Sequence, residues 1–178
     1  MTNTKPSPDA RQNAPDSTPR PVRRKDRQLN DEAALALLNQ GEYGILGLAD
    51  LGGQPYPVPF SYLFKDGRIF FHSAREGRKI EIIKANPRAC FVVVGQTKPV
   101  WDGGCATYYE SVMVFGQVRE VTDDDEKYAA LYGLSAKYLP GDLDKADDYI
   151  KHMFSRTLVF ALEAETITGK GKLEKQPK

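Results

Sequence analysis

Residues 43–73 alternate between aromatic or branched runs and tight-turn signals, and this alternation leaves the chain few folds to choose from. YGILGLA (43–49) runs into DLGG, PYPVPFSYLF (55–64) runs into KDG, and RIFFHS (68–73) follows. Two Gly-marked turns between such runs predict an antiparallel meander. Pro55, Pro57 and Pro59 lack the N–H that a ladder uses, so the second run is expected at a sheet edge or in a bulged strand.

The flanking segments add helices and longer strands. Asn30 is an N-cap followed by Asp31 and Glu32, which complement the helix dipole. Leu35, Leu37 and Leu38 form an apolar stripe, and Gly41 supplies the stop. A helical pattern over 77–86 turns Ile80, Ile82 and Ile83 inward and ends at Asn86-Pro87. Residues 89–95 (ACFVVVG) suit a strand buried on both faces, and residues 107–121 suit a long strand with Gly116 as a bulge or bend. Thr122 and Asp125 form a capping box for a helix to Tyr138, a shorter helix follows at 144–153, and RTLVFALEAETI closes as a strand. Six or seven strands with three or four helices predict a small closed or split barrel decorated by helices.

Length and composition bound the function. A chain of 178 residues, 40% hydrophobic and 28% charged, is expected to form one globular domain. No apolar run approaches the ~20 residues that cross a bilayer, and no signal core is apparent, so a cytoplasmic protein with no membrane partner is expected. Cys90 and Cys105 read as reduced core thiols, and two histidines, His72 and His152, make a multi-histidine metal centre improbable, so no metal site is assigned. Residues 1–28 hold seven Lys/Arg against three Asp/Glu, whereas the remainder holds 18 against 21. The folded part is therefore mildly acidic and no nucleic-acid partner is expected. The domain reading is a disordered basic, Pro-rich tail at 1–28, a folded domain at 29–170 and a short tail at 171–178.

Several familiar sites are missing from the sequence: no dinucleotide fingerprint, no Walker loop, no nucleophile elbow and no H-E-x-x-H. Acidic clusters at 123–126 and 142–148 read as solvated helix starts. What stands out is FFHSAREGRK (70–79). Strand alternation puts Phe70 and His72 on one face and Phe71 and Ser73 on the other. The segment then opens a helix near Gly77, whose free N–H groups attract an anion. Ser73 can donate a hydroxyl, Arg78 can clamp phosphate oxygens and Lys79 adds a point charge. The competing reading is an amphipathic helix with a basic solvent face, with Glu76 opposing any phosphate. Trp101, Tyr108 and Tyr109 can stack on a planar ligand or anchor an interface, and Ser61 and Ser111 need hydroxyl partners on apolar strands.

The runs RRKDRQLNDEAALALLNQGEYGILGLAD, GQPYPVPFSYLF, GRIFFHSAREGRKIEIIKANPRACFVVVG, YYESVMVFGQVREV and ITGK resemble the Nim-type branch of the pyridoxamine 5′-phosphate oxidase-like flavoproteins, which includes 5-nitroimidazole resistance proteins. The resemblance covers residues 23–170. It implies a β-rich α+β fold, a six- to seven-stranded antiparallel split β-barrel with flanking helices that binds FMN as a homodimer, with the flavin at the subunit interface. Carried over by position, Val58, Pro59, Phe60 and Ser61 lie along the flavin ring, His72, Ser73 and Ala74 border it, Arg78 and Lys79 hold its phosphate, and Ser111 comes from the long strand of the other subunit. His72 is the catalytic candidate. The chain ends in KGKLEKQPK, without the Arg- and Trp-rich substrate motif of true pyridoxamine phosphate oxidases, so vitamin salvage is not expected.

On this reading the protein is an oxidoreductase that takes electrons from NAD(P)H to a small planar acceptor such as a nitroaromatic. The alternatives are a non-catalytic flavin or haem carrier or sensor, and a dimeric interaction module with an empty site.

Overall fold

Residues 60–63 decide the architecture. In the computed structural model, which describes residues 20–101 and 103–174, seven antiparallel strands form one sheet. These are β1 (Gly44–Ala49), β2 (Pro55–Phe60), β3 (Leu63–Lys65), β4 (Arg68–Ala74), β5 (Arg88–Trp101), β6 (Cys105–Glu120) and β7 (Thr157–Lys172). Their spatial order is β2-β1-β5-β6-β7-β4-β3, so the two edge strands are consecutive in sequence. Laid flat, seven strands put their edges roughly 29 Å apart at the usual strand spacing. The Phe60–Leu63 link spans at most roughly 11 Å. The sheet therefore has to curl until its edges meet at a seam, which is a split barrel. Across that seam the rings of Phe60 and Phe71 lie 4.6 Å apart.

Four helices complete the domain: α1 (Asp31–Gln40), α2 (Arg78–Ala85), α3 (Asp124–Tyr138) and α4 (Leu143–Met153). The core has two layers. Leu46, Ile69, Phe71, Phe91, Val112 and Phe160 fill the barrel together with Leu38 of α1 and Ile80 and Ile83 of α2. Phe70, Val159 and Ala161, from the opposite face of β4 and β7, pack under Leu131 of α3 and Ile150 of α4. Strand alternation on β4 thus separates a barrel-facing set (Ile69, Phe71, Ser73) from a helix-facing set (Phe70, His72, Ala74).

Most expected elements form, and four details differ. Pro55, Pro57 and Pro59 occupy an edge strand as expected, and Gly116 sits at a register shift in β6. A Cβ at Gly116 would come within 1.8 Å of the Glu163 carbonyl oxygen, so only glycine lets β7 approach there. The apolar stripe of α1 is Ala34, Leu37 and Leu38; Leu35 is exposed. The cap of α3 is Asp123, which accepts from the Glu126 N–H at 2.8 Å, because the helix starts one residue later than a Thr122 cap requires. Strand β5 is not buried on both faces: Phe91 and Val93 are buried but Val94 is exposed, since no helix of this chain covers its outer side. Cys90 is half-buried and free, but Cys105 is exposed near the end of the β5–β6 hairpin, where no core reaches it.

The seam is held from outside by the last turn of α3. The Tyr138 hydroxyl accepts from the Tyr62 N–H at 2.9 Å and donates to the Glu42 carbonyl at 2.6 Å. Beside it, the Lys137 ammonium lies 3.9 Å from the centroid of the Tyr62 ring, buried and without a hydrogen-bond partner. The ring face attracts the cation, but burial wins and holds the Lys137 pKa below its ordinary 10.5. Burial therefore makes the charged form less stable in the fold than in the unfolded chain. Between the lowered folded midpoint and 10.5 the unfolded chain binds more protons, so stability rises with pH across that window. Lys137→Met is expected to raise the thermal midpoint at neutral pH by roughly 2–6 °C and to abolish the alkaline rise, measured by thermal unfolding against pH. An unchanged or lower midpoint would mean that the ring contact outweighs the desolvation.

Candidate functional site

The end of β4 and the start of α2 form a cradle whose polar groups lack partners. Ser73 is 8% exposed, and its Oγ is buried with no hydrogen-bond partner. An unpaired buried hydroxyl costs on the order of 1–3 kcal/mol, so such a group marks a place where a ligand atom is expected. Four residues on, Gly77 adopts φ +120°, which only glycine takes freely, and it caps α2 without a side chain. Asn30 caps α1 and Asp123 caps α3, whereas the first N–H groups of α2 have no side-chain acceptor. Lys79 is half-buried in this first turn and pairs with no described residue. A hydroxyl donor, a free ammonium and an uncapped helix N-terminus suit a phosphate dianion. These residues fit the phosphate of a flavin mononucleotide.

Arg78 stands elsewhere. Its guanidinium is 3.6 Å from the Asp50 carboxylate and 5.3 Å from the Tyr56 ring centroid, so the β1–β2 turn holds it away from the uncapped turn. Arg75 donates to the Ser155 carbonyl at 2.6 Å and ties the end of β4 to the segment before β7. Val58 and Phe60 are half-buried, and Pro59 and Ser61 exposed, on the edge strand and its exit. The Phe60–Phe71 contact brings this exit alongside the end of β4. Ladder positions alternate between facing β1 and facing the open side. The three prolines share one parity, so that open edge carries carbonyl acceptors without N–H donors. Ser111 is not brought to this place: its hydroxyl donates to the Lys170 carbonyl at 3.5 Å, and Lys170 lies beyond the part of β7 that pairs with β4.

His72 opens on the other side of β4. Together with Ala74, Leu131, Leu134, Ile150, Met153 and Arg156 it lines a cavity of about 820 Å³ between the sheet and helices α3 and α4. The imidazole is exposed and makes no hydrogen bond to a described residue, and partial desolvation by the cavity walls lowers its pKa from 6.5. Sequence reasoning missed the helical walls of this cavity. The signal was present: Ala146, Ile150 and Met153 recur at i, i+4 and i+7 on α4, and Leu131, Leu134 and Ser135 at i, i+3 and i+4 on α3. Among the described residues no group of three His, Cys, Asp or Glu side chains gathers to hold a metal, and no helix is long and apolar enough to cross a membrane.

Comparison with known proteins places the fold. The family described as pyridoxamine 5′-phosphate oxidase matches residues 30–171. No curated protein sequence matches. Among solved structures, a candidate 5-nitroimidazole antibiotic resistance protein from Bacteroides thetaiotaomicron superposes with a TM-score of 0.71 at 25% identity, over 81% of this chain and 86% of its own. A FAD-binding protein from Mesorhizobium loti superposes at 0.61 and 25% identity, over 82% of this chain and 97% of its own. A FAD- and haem-binding protein from Mycobacterium smegmatis superposes at 0.72 and 18% identity, over 85% and 77%, and so shares the fold.

The lowered His72 pKa has a measurable consequence. NMR titration of the His72 ring is expected to give a midpoint below the ordinary 6.5, and stability is expected to decline as pH falls from 6.5 through that midpoint. His72→Gln should flatten that acid slope. A midpoint at or above 6.5 would contradict the desolvated setting.

Proposed function

The chain belongs to the pyridoxamine 5′-phosphate oxidase family, and from that premise we propose that it is an FMN-binding flavoprotein that passes electrons from NAD(P)H to a small planar acceptor such as a nitroaromatic. The observation that carries the proposal is the buried, unpartnered Ser73 Oγ on the strand that leads to the free Lys79 and the uncapped start of α2. In this reading Lys79, Ser73 and the α2 N–H groups bind the phosphate. Arg78 joins them by leaving Asp50, a contact loose enough at 3.6 Å to exchange. The open edge of β2 offers the Pro57 and Pro59 carbonyls as acceptors for a ring N–H, with Val58, Phe60 and Ser61 beside them. The 25%-identical protein from Bacteroides, named for nitroimidazole resistance, supports the acceptor class.

Ser111 cannot reach this place within one chain, and the outer face of β5 and β6 leaves Val94 and Met113 exposed. Both features fit a homodimer in which the partner's long strand completes the flavin site. When bound, the flavin supplies hydride and electron transfer; the protein binds and orients it and shields the reacting edge from water. His72 and Ala74 line the far side of β4. A His72 pKa below the ordinary value keeps the ring neutral near pH 7, with one N–H to donate and one nitrogen to accept. Its role is thus to hydrogen-bond and orient the acceptor rather than to stand by as a charged acid.

Incubation of the full-length protein with FMN should give a yellow species whose colour bleaches on anaerobic addition of NADPH and returns with a nitroaromatic. Lys79→Ala is expected to weaken FMN binding about 10- to 100-fold, the worth of one charge-assisted contact. A protein that stays colourless would refute the flavin reading. A coloured protein that consumes no NAD(P)H with any acceptor would favour the carrier or sensor.

A further inference from the structure

The cavity beneath α3 and α4 has apolar walls and charged groups at both ends of α4. Leu131, Leu134, Ile150 and Met153 make its walls. Its charged rim consists of Asp142 and Lys145 on one side and Arg156 on the other. The first two neutralise each other through a contact of 2.6 Å. Arg156 follows α4 in the short turn Phe154–Arg156, is exposed, and has no ion-pair or hydrogen-bond partner among the described residues. His72 faces the same space with both ring nitrogens unengaged. The volume of about 820 Å³ lies in the range of small-molecule sites.

We propose that this cavity binds a small organic monoanion, an aryl or short alkyl carboxylate, with its apolar body between α3 and α4 and its carboxylate on Arg156 beside His72. One unneutralised guanidinium matches one negative charge, and its planar fork matches a carboxylate edge-on. The apolar walls exclude a fully polar metabolite, which would lose its hydration without replacement. The proposal does not depend on the flavin reading, since the walls and charges of this cavity belong to α3, α4 and the turn after α4.

The test uses the full-length protein, with and without FMN, and isothermal titration of naphthoate, naphthamide and naphthylmethylamine. Naphthoate is expected to bind about tenfold tighter than naphthamide, with the amine weakest, since a single charged contact at a partly solvated rim is worth about a factor of ten. Arg156→Glu should reduce naphthoate affinity about tenfold or more and leave naphthamide unchanged, and Arg156→Lys should restore part of it. Ala146→Leu, which fills the wall, should weaken both ligands. Equal affinity for acid and amide, or indifference to Arg156→Glu, would overturn the proposal and leave a charge-blind apolar crevice. Absence of binding by all three compounds would overturn it as well. FMN binding, followed by absorbance on the same samples, separates the two claims. A protein that discriminates naphthoate but takes up no FMN supports this pocket and refutes the flavin reading.

Discussion

A two-residue link, Ser61–Tyr62, joins the two edges of a seven-stranded sheet, and the rest of the molecule follows from that constraint. Edges that would stand roughly 29 Å apart in a flat sheet are forced into contact. The sheet curls, its inner face becomes a closed apolar core, and its outer face stays open to helices. The closure is not a hydrogen-bonded one, because the three prolines of β2 remove the donors a ladder needs at that edge. Phe60 packs at a tilt against Phe71 instead, and Tyr138 fastens the Tyr62 backbone from outside. The result is a seam lined by backbone acceptors beside the end of β4.

The strand β4 then serves two places at once. Its barrel-facing residues, Ile69 and Phe71, give way at the last barrel-facing position to Ser73, whose buried hydroxyl has no protein partner. Its helix-facing residues run from Phe70, packed under α3 and α4, to His72 at the cavity. Period-two alternation therefore turns the Ser73 hydroxyl and the His72 imidazole to opposite faces of one strand end, although Ser73 still borders the cavity. The uncapped start of α2 adds the positive end of a helix to the first side. The half-buried network in which Glu126 binds Arg68 and Arg119, and Arg119 also binds Glu163, pins the start of α3 to β4, β6 and β7. That anchor keeps the helical roof in place over the second side.

Much of this was legible in the sequence because local rules agree with the final fold. The turns at DLGG and KDG, the edge prolines, the three inward isoleucines of α2 and the bulge at Gly116 all rest on neighbours in sequence. What failed depended on tertiary context. An all-apolar run at 89–95 reads as doubly buried, yet only one face of β5 meets the core, and periodicity cannot show which. Which partner Arg78 takes is also a tertiary matter: Asp50, 28 positions away in sequence, lies 3.6 Å from its guanidinium. The Asp142–Lys145 pair and the free Arg156 border one pocket only when α4 folds back on β7. Lys137, an unremarkable helical lysine in sequence, becomes a buried and unpaired charge because Tyr62 is drawn under it by the seam.

On the proposed reading, the end of β4 and the start of α2 hold a phosphate and thereby a flavin. The most direct measurement compares FMN with riboflavin, which carries the same ring without the phosphate, by fluorescence titration of the full-length protein. FMN should bind roughly 100-fold tighter than riboflavin, the worth of two charge-assisted contacts. Equal affinities, or binding of neither, would contradict the claim.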